Sequence, residues 1–538
     1  MNPSPTAHVD TFARDHQPPP EQRPDLLFPL PELHYPGTLN CARELLDTTV
    51  ARYGPDRPAL LGEDVTWTYG GLRDQVARIA RVLTEDLGVV PGNRVLLRGP
   101  NSPWLAACWL AVVSAGAVVV PVVPVLRSGE LRTIAGIARV THALCDVRSL
   151  DDLVKAEIPG LAVTSFGTAD EPGELQRLAG ERPPAFTPVA TAADDICMIA
   201  FTSGTTGRPK GCMHAHRDVL AIADTFSVHV LKPRPDDVFT GSPPLSFTYG
   251  LGGALVFPLR AGAASLLVAR ATPDALPAAI ERYGVTVLFT APTAYRALLA
   301  RPDASAAMTR LRRCVSAGEK LPRAVWENWL AATGVKIIDG IGSTEMLHIF
   351  IASADDDIRP GSTGRPVPGY EARVVDDAGR PVPDDTPGRL AVRGPTGCTY
   401  LDDPRQAEYV RDGWNLTGDT YVRDAGGYFW YQARSDDMII SAGYNIAGPE
   451  VEEALLRHPD VAEAAVVGLP DAVRGQLVTA FVVLHDPADA SEDKKRELQD
   501  FAKGEIAPYK YPRAVEFLEA LPRTPTGKLQ RFRLRASP

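Results

Sequence analysis

The sequence predicts an α/β chain of more than one domain, and three observations carry that prediction. Its 538 residues are too many for one compact core. Helical and strand-like patterns alternate from Leu39 onward, which argues for a largely parallel sheet flanked by helices. The last segment, from near Asp437, has its own helix, two strands and a charged helix, enough for a compact α+β domain of about 100 residues.

Taken in order, residues 1–38 are proline-rich and polar and read as an extended arm. "YGGLRDQVARIARVLTEDLG" (Tyr69 to Gly88) has apolar residues at helical spacing, and "NRVLLRG" (Asn93 to Gly99) reads as a short strand. "WLAACWLAVVSAGAVVVPVVP" (Trp104 to Pro124) reads as a buried helix, a glycine break and a strand; its prolines argue against a membrane span. "GVTVLFTAP" (Gly284 to Pro292) and "VKIIDGIGSTE" (Val335 to Glu345) are strand-then-turn units. After residue 360, "ARVVDDAGRPVPDDTPGRLAVRG" (Ala372 to Gly394) has the turn chemistry of antiparallel hairpins. "ARSDDMIISAG" (Ala433 to Gly443) reads as a linker. It is followed by a helix at "PEVEEALLRHP", strands at "VAEAAVVGLP" and "LVTAFVVLH", and a helix at "SEDKKRELQDFAKGEI".

The bulk composition narrows the function. A net charge of -10 argues against a nucleic-acid surface, and no apolar run reaches the length of a membrane span. The first residues lack a signal-peptide pattern, and seven cysteines without CxxC pairs suit a reducing cytoplasm and carry no zinc signature. "HAH" (His214 to His216) has no third ligand in view and reads as local structure.

"FTSGTTGRPKG" (Phe201 to Gly211), directly after the apolar run "ICMIA", is the densest chemical signal. Its glycines let successive backbone N–H groups point inward as an anion nest. Thr202, Ser203, Thr205 and Thr206 add hydroxyl donors and Lys210 adds a cation, a set suited to nucleotide phosphates. The GK[ST] ending of a Walker A loop is missing.

This stretch resembles the signature of the adenylate-forming superfamily, which includes acyl- and aryl-CoA ligases, peptide-synthetase adenylation domains and luciferases. Companion motifs follow in the family's order. "GIGSTEM" (Gly340 to Met346) resembles the aromatic-Gly-x-Thr-Glu motif, with Ile341 in the aromatic position. "LTGD" (Leu416 to Asp419) and "QARSDDMIISAGYNI" (Gln432 to Ile446) resemble the ribose and hinge motifs, with Ala433 where a glycine is usual. "LPRTPTGKLQR" (Leu521 to Arg531) resembles the C-terminal lysine motif. The resemblance covers Leu39 to Arg535. It implies a large adenylating domain (39–434) of mixed and parallel sheets plus a distorted β-barrel, a hinge (435–437) and a small mobile lid (438–538).

The resemblance also implies a reaction in two halves: ATP activates a carboxylate as an acyl-adenylate, and a thiol then displaces AMP. It implies ATP and Mg²⁺ as cofactors and coenzyme A as co-substrate. Residues 202–207, Gly204 and Gly207 included, would with Lys210 hold phosphates. Thr344 would bond the α-phosphate, and Glu345 would hold Mg²⁺. Gly318, Glu319, Lys320, Asp339, Gly340, Ile341, Gly342 and Ser343 would line the nucleotide pocket. Asp419 and Arg434 would hold the ribose. Lys528 would be the catalytic lysine, Asp436 the hinge residue, and Gly443, Tyr444, Lys510 and Arg513 would meet coenzyme A.

For the acid, "DGIGSTEMLHIFIAS" (Asp339 to Ser353) and "FTYGLGGALVFPL" (Phe247 to Leu259) resemble benzoate-CoA and 2-aminobenzoate-CoA ligases. The resemblance places Tyr249, Gly250, Ala317, His348 and Ile349 around an aromatic ring, with His348 as one polar contact in an apolar slot. "YPGTLNCARELLD" (Tyr35 to Asp47) is most similar to the 2-aminobenzoate members. The expected substrate is therefore 2-aminobenzoate or another ortho-substituted benzoate such as salicylate, ahead of benzoate. Loading of a carrier protein instead of coenzyme A stays open, as does a binding protein that keeps the fold without turnover. Monomer and homodimer are both compatible with the sequence.

Overall fold

The computed structural model describes residues 5–202, 208–301, 305–434, 437–441, 444–471, 474–506, 509–523 and 529–535. Its first sheet has six strands in the order Ala162–Phe166, His142–Asp146, Arg94–Arg98, Val118–Val122, Ile196–Thr202 and Lys210–Ala215. Neighbours run parallel except the last two, which form an antiparallel hairpin. The unbroken burial of Val118–Val122 is what a strand covered on both faces requires. The helix Pro103–Ser114 starts cleanly because the Ser102 side chain caps Leu105 N–H and proline occupies the first turn. It is apolar all round, so it sits in the interior.

A second, nine-stranded sheet has parallel strands Val238–Gly241, Val287–Thr290, Arg313–Ser316 and Ile337–Gly342 at its centre. Ile349–Ala352 returns antiparallel beside Ile337–Gly342. One apolar cluster joins the two sheets, from Leu97 and Val119 to Phe289 and Ile338.

After residue 360 five antiparallel strands follow, among them Glu371–Val375, Gly388–Arg393, Trp414–Arg423 and Phe429–Arg434. The last unit pairs Val461–Asp471 with Gly475–Leu484 along most of their length, backed by helices Gly448–Leu455 and Glu492–Glu505. No helix among the described residues is long and apolar enough to cross a membrane.

The expected extended arm is corrected. Residues 5–38 are pinned to the body and broken by short helical turns such as Phe12–Asp15 and Pro31–Leu33. Asp10 pairs with Arg94 at 2.5 Å, Leu27 N–H donates to Gly394 O at 2.9 Å, and Tyr35 Oη donates to Asp224 at 2.9 Å.

Candidate active site

The hairpin of the first sheet brings Thr202 opposite Lys210, at the mouth of the loop between them. Ser203, Gly204, Thr205, Thr206 and Gly207 lie outside the described residues, as do Asp436, Gly443 and Lys528. Lys210 Nζ donates to Tyr400 Oη at 2.7 Å, and Tyr400 Oη donates to Glu345 Oε1 at 2.5 Å. Lys210 and Glu345 themselves stand 3.6 Å apart. Burial, reinforced by the Glu345 charge, pushes the Tyr400 hydroxyl pKa up, so it stays protonated and donating. Ser343 Oγ lies 3.4 Å from Tyr409 Oη and accepts from Met346 N–H.

Thr344, Glu345 and His348 share one turn after strand Ile337–Gly342. The Leu347 N–H donates to Thr344 O at 3.2 Å, Leu347 has φ 68, and Thr396 Oγ1 donates to Met346 O at 2.8 Å. A buried leucine in the left-handed region is a forced conformation. It turns the chain sharply between Glu345 and His348. A cation with hard oxygen preferences suits the Glu345 side, where one buried carboxylate stands 3.6 Å from Lys210.

Asp419 and Arg434 face each other across paired strands, 3.3 Å apart. Gly418, at φ 77, passes so close that a Cβ would meet Arg434 Nη2 at 3.1 Å. Burial raises the Asp419 pKa, with Arg434 opposing it. Tyr409, which feels the charges of both Glu345 and Asp419, joins this pair to the phosphate end.

Of the residues expected to line adenine, Gly318 takes φ 91 at the end of strand Arg313–Ser316. The side chains of Glu319 and Lys320 turn to the lid. Lys320 Nζ pairs with Glu453 at 2.7 Å, and Arg523 bridges Glu319 at 3.4 Å and Glu463 at 2.7 Å. Asp339 Oδ1 and Ser316 Oγ are buried without hydrogen-bond partners. Burial pushes the Asp339 carboxyl up to about 8, with Ser316, the Gly340 backbone and Lys320 opposing less strongly. Gly340 and Gly342 allow close packing, since a Cβ on either would fall 2.7 Å from Ile349 and from the His348 backbone respectively. Ile341 is half-buried between them.

His348 stands in a cage of rings: Phe257 at 4.6 Å, Phe226 at 5.4 Å, Tyr249 at 5.6 Å and Phe289 at 6.4 Å between centroids. Neither imidazole nitrogen has a hydrogen-bond partner. Burial, only partly offset by the Tyr249 backbone, pushes its pKa down to about 3, so the ring is neutral. Tyr249 Oη donates away from the cage, to Val315 O at 3.0 Å. Gly250 is packed on Pro244 O, where a Cβ would come within 2.0 Å, and Ala317 and Ile349 are buried nearby. Two π-helical stretches, Ala223–Leu231 and Gly252–Val256, flank the ring. The wider π turn brings Gly252 under His348, where a Cβ would meet Cδ2 at 2.4 Å. Gly252 and Phe257 lie in the quoted stretch Phe247 to Leu259 and Phe289 in the strand Val287–Thr290, but their meeting with His348 and Phe226, like that of Tyr400 with Glu345, brings together separate elements and leaves no local signal.

On the lid, Lys510 is held by both oxygens of Glu450 at 2.7 and 2.8 Å. Burial lowers the Lys510 pKa, but Glu450 outweighs it and the net shift is upward. Arg513 stacks on the Tyr511 ring at 3.8 Å. Tyr444 pairs with Ser441 in a short hairpin. Asp437, within the segment 435–437 expected to be the hinge, is gripped by Arg535, and Arg531 pairs with Glu452 at 2.7 Å.

The reading of His216 without a third ligand is corrected: Cys41 and Cys197 gather around it, ligand atoms within 4.8 Å of one another. Hydrogen bonds account for both thiols. Cys41 Sγ lies 3.3 Å from His216 Nδ1, and Cys197 Sγ donates to His214 O at 3.5 Å.

Comparison with known proteins places this geometry in context. The pattern of the AMP-binding enzyme family matches residues 46–399, and that of the AMP-binding enzyme C-terminal domain matches residues 450–528. A benzoate–CoA ligase of Thauera aromatica is 34% identical, over 94% of this chain and 98% of its own. The solved structure of the anthranilate CoA ligase AuaEII, in complex with anthranoyl-AMP, superposes with a TM-score of 0.89 at 34% identity, covering 94% of this chain and 98% of that one. A benzoate CoA ligase from Burkholderia xenovorans LB400 gives 0.85 at 34% identity, covering 92% of this chain and 100% of that one.

Proposed function

The chain belongs to the AMP-binding enzyme family, within the adenylate-forming superfamily, and from that premise we propose that it is an ATP-dependent aryl-CoA ligase. The observation that carries the aryl assignment is the neutral, unpartnered His348 inside a cage of aromatic rings. A flat apolar slot takes a benzene ring, and an imidazole with one donor and one acceptor unmet answers a hydroxyl or amino substituent. The substrate proposed is 2-aminobenzoate or another ortho-substituted benzoate, ahead of benzoate itself. The anthranilate CoA ligase among its structural relatives supports this order.

In the first half-reaction a carboxylate oxygen of the acid attacks the α-phosphorus of ATP, and pyrophosphate leaves. In the second, a thiol sulfur attacks the acyl carbon, and AMP leaves. Lys210 would meet phosphate charge, Thr344 the α-phosphate and Asp419 the ribose hydroxyls, with Arg434 beside it. Mg²⁺, which Glu345 would hold, supplies neutralisation of the phosphates. Lys528 would approach the developing charge in the first half-reaction, and the lid would then rotate about Asp436 to admit the thiol.

The test is AMP release and pyrophosphate exchange with 2-aminobenzoate, salicylate, benzoate and hexanoate, each with coenzyme A or with a carrier protein as acceptor. The expected order is ortho-substituted benzoates, benzoate, then hexanoate, with coenzyme A as the acceptor. Preference for hexanoate would overturn the aryl assignment. Background exchange with every acid would favour a binding protein. Turnover with the carrier alone would move the acceptor, a reading that gains from Lys510 being already neutralised by Glu450.

A further inference from the structure

Tyr400 occupies a position that no motif assigned. Its hydroxyl accepts from Lys210 Nζ at 2.7 Å and donates to Glu345 Oε1 at 2.5 Å, and the ring is buried to 1% exposure. Along this chain the Lys210 amino group donates, the phenol accepts and donates in turn, and the Glu345 carboxylate accepts. The phenol is fixed from several sides. Its backbone N–H donates to Gln406 Oε1 at 2.8 Å, and Gln406 Nε2 donates to Gln22 O at 2.8 Å and Cys398 O at 3.1 Å. Backbone bonds from Met213 N–H to Thr399 O and from Leu401 N–H to Gly211 O, both 2.8 Å, lock the segment to the strand that carries Lys210. Tyr409 packs edge-on at 5.9 Å.

We propose that Tyr400 is a positioning residue that keeps the Lys210–Glu345 ion pair, open at 3.6 Å, from closing to hydrogen-bond distance, so that both meet the metal–nucleotide. With the hydroxyl in place the two charges stand 3.6 Å apart, each bonded to the phenol. Without it they are free to close to hydrogen-bond distance, and an incoming phosphate and its cation would first have to part them. Supporting groups of this kind act through the groups they orient. The proposal rests on the assignment of Lys210 to phosphate and Glu345 to the metal, and the experiment separates the two.

Binding of a non-hydrolysable α,β-methylene ATP analogue is measured by calorimetry on the full chain without acid, across a magnesium series. Tyr400→Phe should weaken the metal–nucleotide about tenfold, the size of one hydrogen bond lost to a charged partner, with an unchanged melting temperature. In turnover, the KM values for ATP and magnesium should rise while that for the aryl acid holds. Glu345→Gln should weaken binding as well, and the double variant should be no weaker than Glu345→Gln alone, because the phenol acts through the carboxylate. Wild-type binding by Tyr400→Phe, or fully additive losses, would overturn the spacer. Wild-type binding by Glu345→Gln would instead remove Glu345 as the metal carboxylate and overturn the spacer with it, whereas loss by Glu345→Gln beside wild-type binding by Tyr400→Phe would keep that assignment and overturn the spacer alone.

Discussion

Glu345 and His348 lie three residues apart in one turn, yet their surroundings are opposite. Around Glu345 a polar group answers each polar group, in the chain Lys210–Tyr400–Glu345 and the pair Ser343–Tyr409. Around His348 rings enclose an imidazole whose two nitrogens have no partner. The sharp turn at Leu347 sends the two side chains to different sides. A site that transfers AMP from ATP to an aromatic acid, as proposed, needs both environments side by side, and a strained backbone is how the chain changes from one to the other. The comparison also separates the jobs. Changes at the polar end should strike every acid alike, whereas changes at the apolar end should re-rank acids.

The largest effect tests the first half of that statement. Lys528→Ala should slow adenylate formation roughly 10²- to 10³-fold, as expected when one donor to developing charge is removed. The loss should be the same for benzoate and 2-aminobenzoate. Thioester formation from supplied aryl-adenylate should be largely kept. Pyrophosphate exchange and single-turnover thioester assays read the two halves, and equal loss in both would take Lys528 out of the first.

A smaller effect tests the other end. His348→Ala removes the one polar group in the cage and leaves a cavity beside Phe257 and Phe226. The ratio of kcat/KM values between 2-aminobenzoate and benzoate should change about tenfold, the scale of a single pocket contact. The KM for ATP should move less than twofold. An unchanged ranking of acids would remove His348 from the pocket.

How much of this was legible in the sequence follows the same division. The polar end is written in short motifs, and Glu345, Lys210, Asp419 and Arg434 all lie in them. Local patterning was equally readable: the helix from Tyr69, the buried helix before Val118 and the hairpins after residue 360 lie where their periodicity and turns put them. The apolar end was half readable. His348 and Tyr249 sit in motifs, but Phe226, Phe257 and Phe289 meet them through tertiary packing, and two helices with π geometry follow no 3.6-residue period. Tyr400 reaches Glu345 only because its segment registers on the strand after the phosphate loop, and Cys41 reaches His216 across 175 residues of sequence. Contacts made across such separations leave no local trace.

The smallest effect concerns Asp339 and His348 together, since burial keeps both neutral by shifting them in opposite directions. Asp339, raised to about 8, keeps its proton when folded and loses it when unfolded between pH 4 and 8. Its contribution to stability is therefore full at low pH and declines as pH rises through that window, by at most about 1.4 kcal/mol per pH unit for one proton. His348, lowered to about 3, stays uncharged when folded while the unfolded ring takes up a proton below pH 6.5. Its contribution is full above pH 6.5 and is lost as pH falls toward 3. The two slopes oppose each other between pH 4 and 6.5, so stability should change little there. From pH 6.5 to 8 the Asp339 slope is no longer opposed by that of His348. Asp339→Asn, which cannot lose a proton, should flatten the decline on that alkaline side and leave the His348 slope unopposed below pH 6.5, so that stability falls as pH drops toward 4. Urea unfolding of both proteins from pH 4 to 8 measures it. Parallel curves would mean that Asp339 is ionised in the folded chain and that the apolar environment ends short of it.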